Sequence, residues 1–132
     1  MVTNDQNRLA LLWLITAAGA VLFITIQSFS YLNDYIRAQG VTPAITFDSN
    51  GLWMVSIFYG AWIIPALLAL VGTSAANWTM LTLGGLLAIL NTLAGVFDGI
   101  RDGGHIVFTA LLCIALPGTF AVAASWRHIR KG

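Results

Sequence analysis

Few side chains in this 132-residue chain can do acid–base or metal chemistry: five acidic residues, all Asp, six Lys or Arg, two His and one Cys. The densest group is DGIRDGGH, residues 98–105. Asp98 and Asp102 are spaced i,i+4, which puts both carboxylates on one helix face. Arg101 adjoins them, and His105 follows two glycines. Two carboxylates and an imidazole could bind a divalent cation or shuttle protons. The plainer reading is a tight polar turn: Gly103 and Gly104 bend the chain, the charges keep the turn in water, and His105 caps the next helix. A zinc site needs three or four convergent ligands, and the other histidine, His128, lies far along the chain. The turn is the favoured reading, and no metal, cofactor or catalytic residue is assigned.

A second signal is repetition. NDYIR at 33–37 and FDGIR at 97–101 share Asp-x-Ile-Arg. A shift of 64 positions sets Gln27 on Asn91, Asp34 on Asp98 and Arg37 on Arg101; a shift of 52 sets Pro65 on Pro117. These matches suggest a tandem duplication of a two-helix hairpin. Parallel repeats place a two-fold axis along the membrane normal, which would set the first and third helices across the bundle from one another. Gly84, Ala88, Asn91, Gly95, Asp98 and Asp102 recur every three or four residues, so they form one stripe of small and polar residues on the third helix. Gln27 and Asn91 are expected to hydrogen-bond across the bundle. Asp34 and Asp98 are expected to pair with Arg37 and Arg101, on the same helix or across it.

The elements that must position these groups follow from composition. The chain is 58% apolar and 8% charged, with a mean hydropathy of +0.85. A soluble domain carries about 25% charged residues. No charged residue occurs at 9–33, 49–97 or 103–126. Crossing a hydrocarbon core takes roughly 20 helical residues. The sequence therefore predicts an all-α integral membrane protein, one four-helix transmembrane bundle with spans at about 9–33, 52–72, 77–98 and 105–126. The Leu9–Leu32 run exceeds the roughly 7–15 residues of a signal-peptide core, so it reads as a span. Cys113, the single cysteine, allows no intrachain disulfide and reads as a small buried hydrophobe. Pro65 and Pro117 fall mid-span and are expected to kink their helices.

Arg8, Arg127, Arg130 and Lys131 outnumber Arg37 and Arg101, so the positive-inside rule puts both termini in the cytoplasm, with a bacterial inner membrane the expected location. Trp13, Trp78 and Trp126 are expected in the interfacial belt near the termini, and Tyr31, Tyr35 and Trp53 in the opposite one; Trp62 is read as packing. The 38–51 loop could lie on the membrane surface or meet a partner.

No phosphate loop, nucleophile elbow or H-E-x-x-H is present, and no ionisable residue lies near a span centre, where proton-coupled transporters keep one. The leading expectation is a small non-enzymatic accessory, assembly or binding protein. Its polar cluster at the outer mouth would comprise Gln27, Asp34, Arg37, Asn91, Asp98, Arg101, Asp102 and His105. The alternatives are a homo-oligomeric small-solute transporter or channel, and a membrane enzyme acting on a lipid-soluble substrate. Expected partners are membrane lipids and a homo-oligomer or larger membrane complex; the formal charge of +1 gives no reason to expect nucleic acid.

Overall fold

The computed structural model describes residues 3–38 and 49–131, and every described element is helical. Helix α1 is Asn4–Arg37, α2 Ser49–Gly60, α3 Ile63–Val71 and α4 Ser74–Asp102. Helix α5 is Gly104–Ala110; a π-helical turn at Leu111–Ala115 joins it to α6, Leu116–Lys131. Grouped end to end, these make four rods: Asn4–Arg37, Ser49–Val71, Ser74–Asp102 and Gly104–Lys131. Each is long and apolar enough to span a membrane. Most of the 38–51 loop, with Asp48, lies outside the described residues.

The helices overrun the charge-free intervals because hydrogen bonding continues past the first charged residue, up to a cap. Thr3 opens α1 with a capping box: its hydroxyl accepts from the Gln6 amide at 3.3 Å, and Gln6 Oε1 accepts from the Thr3 amide at 2.7 Å. Thr73 caps α4 by accepting from the Ala76 amide at 3.2 Å. Just before it, Gly72 takes φ of +71°, the left-handed turn that ends α3. With 34 residues, α1 is about 51 Å long at 1.5 Å per residue.

Helix α1 packs beside α3 on one side and α5–α6 on the other, and α4 fills the diagonal position. Small residues make many of the closest contacts. Ala17, Ala20, Ala66, Ala69, Ala88, Ala110 and Ala121 are buried, and Gly84 and Gly95 lie against the rings of Trp13 and Phe23. Large aliphatic and aromatic residues such as Leu11, Leu22, Phe29, Leu67, Ile89 and Phe120 face outward. Helix α2 buries no residue fully; Leu52, Trp53, Met54 and Ile57 are exposed on it.

Both prolines distort the turn before them, by different routes. Pro65 has no amide hydrogen for the Ala61 carbonyl, which accepts instead from the Ile64 amide at 3.1 Å, and the rod breaks at residues 61–62. Pro117 likewise cannot bond the Cys113 carbonyl. The preceding turn widens to π geometry, with the Leu116 amide reaching back to the Leu111 carbonyl. The freed Cys113 carbonyl lies on the backbone of Gly19 in α1, where a Cβ would overlap its oxygen. Cys113 is half-buried; its side chain packs against the core while its backbone meets α1.

Trp13 is not an interfacial tryptophan. It is 0% exposed, its ring fills the slot left by Gly84, and its Nε1 donates to Ser125 Oγ at 3.1 Å. A missing side chain on α4 and a hydroxyl on α6 together satisfy both the apolar and the polar part of the indole. Trp78 and Trp126 are exposed and meet edge to face at 6.0 Å, with the Arg130 guanidinium 5.1 Å from the Trp126 ring. Trp62, 2% exposed, packs in the core with Phe23, Leu87 and Ile106.

Candidate functional site

At the end where α1 finishes and α2 begins, α1 makes two polar contacts across the bundle. Gln27 Nε2 donates to Asp98 Oδ2 of α4 at 2.8 Å. Three residues on, Ser30 Oγ lies 3.2 Å from His105 Nε2 of α5; the imidazole tautomer decides which of the two donates. The i,i+3 spacing puts Gln27 and Ser30 on one face of α1, so a single helix edge holds both neighbours. Asp98 is half-buried, and Tyr59 at the end of α2 lies close enough to feel its charge.

This arrangement corrects several sequence-based expectations. Gln27 does not bond Asn91. Asn91 lies two turns deeper on α4, is 2% exposed, and its Nδ2 has no hydrogen-bond partner. The longer Gln27 side chain reaches outward to a carboxylate, which is a stronger acceptor than an amide. The expected pairs among Asp34, Arg37, Asp98 and Arg101 do not form. Arg101 turns to its neighbour Asp102, donating from Nε to Oδ1 at 2.8 Å and from Nη2 to Oδ2 at 3.2 Å. The guanidinium stays in the open at the helix end while Asp98 points inward, and a guanidinium does better in solvent than against an apolar helix face. Among the described residues this is the sole ion pair. Asp34 and Arg37 are exposed on the last turns of α1 and join no cluster.

His105 does not cap α5. The cap is Gly103, whose φ of +137° strongly favours glycine, and no side chain bonds the helix start. Gly104 is already the first residue of α5, so one glycine, not two, makes the bend. Among the described residues no three of His, Cys, Asp and Glu converge as a metal site.

The site is therefore smaller than the eight residues expected: Gln27, Asp98 and His105 are drawn in, with Ser30 and Tyr59 added. Ser30 could have been found as the i+3 neighbour of Gln27; Tyr59 carried no periodic signal linking it to α4. Chemically, the group offers a half-buried carboxylate held by one neutral amide and in no ion pair among the described residues, with the Arg101 guanidinium near enough only for a through-space interaction. It can take a further donor. Below it, Phe23, Trp62, Leu87 and Ile106 close the interior. The hydroxyls of Thr16, Thr25, Ser28, Thr82, Thr109 and Thr119 instead bond carbonyls of their own helices. Protein-family models, characterised proteins and solved structures offer no match to this chain, so its function is to be read from these side chains alone.

Proposed function

We propose that this is a non-enzymatic accessory protein of a bacterial inner membrane, with four spans and both termini in the cytoplasm, that holds a partner membrane protein at its acidic end. Membrane insertion is supported by the many small residues at the helix contacts and by the large apolar side chains exposed along all four rods, the pattern of helices associating in lipid. Hydroxyls bonded to their own helices and capped helix ends agree with it, since a bilayer offers no water to backbone or side chain. The orientation follows from the Lys and Arg residues gathered at the terminal end. The correspondence of Asp34 with Asp98 and of Pro65 with Pro117 supports descent from a duplicated hairpin, although the two prolines distort their rods differently.

One observation carries the partner reading. Asp98, half-buried and in no ion pair among the described residues, sits near α2, a helix that buries none of its own residues fully. A carboxylate in that position gains from a donor or cation supplied by another chain, and α2 offers that chain an apolar surface. The closed core below Asn91 weighs against passage of a solute through a single copy.

The test is affinity purification of the tagged protein from membranes in a mild detergent, wild type against Asp98→Asn. Asparagine keeps an acceptor for Gln27 and removes only the charge. A protein retained in matched amount by the wild type and lost with Asp98→Asn supports the reading. Equal recovery with both, or no retained protein, counts against it.

A further inference from the structure

We infer that the terminal end of the bundle carries a site for an aminoalkyl phosphate, the chemistry of a phosphoethanolamine headgroup. A cleft of about 430 Å³ opens between the start of α1, the α3–α4 turn and the end of α6. That volume lies within the range of small-molecule sites, about 300–1,000 Å³. Its polar lining divides by sign. Lys131, His128 and Ser74 offer donors, and Lys131 offers positive charge; Asp5 and Asn77 offer acceptors.

Two features leave polar groups of both signs unmet at this cleft. Asp5 and Lys131 line the same cleft yet form no ion pair with each other, nor does either with any other described residue. Asn77 Oδ1 is buried and has no hydrogen-bond partner. A buried acceptor without a donor costs about 1–3 kcal/mol, a cost that an incoming N–H would remove.

Asp5 also departs from the charge pattern of the chain. The other described Asp residues, at 34, 98 and 102, belong to the opposite half of the rods, and Asp5 alone stands among Arg8, Arg127, Arg130 and Lys131. A purely basic belt would suit any anionic lipid. A carboxylate and a free amide oxygen within it select a ligand that carries an ammonium beside its phosphate. Such an ammonium can donate to Asp5 and Asn77 while the phosphate takes Lys131 and Ser74. A trimethylated amine carries charge but no N–H, so it cannot satisfy Asn77. The exposed Trp78–Trp126 pair at the same end suits the headgroup level of a bilayer.

The experiment titrates the full chain, purified in dodecyl maltoside, with dioctanoyl phosphatidylethanolamine, phosphatidylcholine and phosphatidylglycerol, and counts retained lipid by native mass spectrometry. Phosphatidylethanolamine should bind about tenfold more tightly than the other two, the worth of one charge-assisted hydrogen bond. Asp5→Asn and Lys131→Gln should each weaken it by about tenfold with an unchanged melting temperature. Soluble phosphoethanolamine serves as a competitor. Full competition assigns the site to a free aminoalkyl phosphate, and failure to compete assigns it to the lipid. Equal binding of phosphatidylglycerol, or full phosphatidylethanolamine binding by Asp5→Asn, overturns the inference.

Discussion

Replacing Gly19 by Ala probes a close approach of two helix backbones. A Cβ at Gly19 would overlap the Cys113 carbonyl oxygen, with the Cys113 Cα only 3.4 Å away. The obstacle is backbone, so no side-chain rotation relieves it; α1 and the π-turn rod must separate. Overpacking of this kind costs about 1–3 kcal/mol, and a backbone obstacle belongs at the upper end. Against that stands the helix-propensity gain of alanine over glycine, about 1 kcal/mol. The net expectation is a loss of about 2 kcal/mol, roughly a 30-fold change in the unfolding equilibrium. Gly85→Ala is the control: its nearest neighbour would be Val122 Cγ2 at 3.7 Å, an ordinary contact, so it should match or exceed the wild type. Reversible unfolding in mixed dodecyl maltoside and SDS micelles, followed by circular dichroism, reads both. Pro117→Ala adds a second arm. It restores an amide hydrogen for the Cys113 carbonyl, which should draw the oxygen back from α1 and shrink the Gly19→Ala penalty. Gly19→Ala as stable as Gly85→Ala, or strict additivity with Pro117→Ala, would refute the reasoning.

Other expectations follow from individual contacts. A double-mutant cycle of Gln27→Leu and Asp98→Leu, read by the same unfolding assay, should show coupling of about 0.6–2 kcal/mol, whereas Gln27→Leu with Asn91→Leu should be additive within about 0.3 kcal/mol. Asn91→Leu alone should keep or raise stability, because it removes a buried donor that has no partner. Ser125→Ala leaves the Trp13 indole N–H unpaired in the core and should cost about 1–3 kcal/mol; a cost below 0.5 kcal/mol on the scale of surface substitutions would mean the bond at 3.1 Å contributes nothing. In a Cys113→Ala background, cysteines at Ser49 and Lys131 test the orientation with an impermeant maleimide on intact cells: position 49 should label and 131 should not, and the reverse pattern inverts the bundle.

The four rods were legible because helices long and apolar enough to span a membrane leave long charge-free intervals, which mark the rod ends to within about a turn and a half. The inward face of α4 was legible for the same reason that it packs. Gly84, Ala88, Asn91 and Gly95 are all buried, as helix periodicity required. Partner choice was not legible. Periodicity gives the azimuth of Gln27 but not the reach of its side chain, and about two turns of α4 separate the expected amide of Asn91 from the observed carboxylate of Asp98. Trp13 was misplaced because its distance along α1 resembles that of a belt residue; only the gap at Gly84 and the hydroxyl at Ser125, both distant in sequence, draw it inward. The split between Asp98 and Arg101 likewise depends on which group can remain in solvent, a property of the assembled end rather than of either residue.

Partner contact at the acidic end is tested most directly by photo-crosslinking in living cells. Benzoylphenylalanine at Met54, exposed on α2, is irradiated in otherwise wild-type and Asp98→Asn backgrounds, and adducts are resolved by gel and mass spectrometry. One discrete protein adduct that disappears with Asp98→Asn is expected. Lipid adducts alone, or a protein adduct indifferent to Asp98, would contradict the assignment.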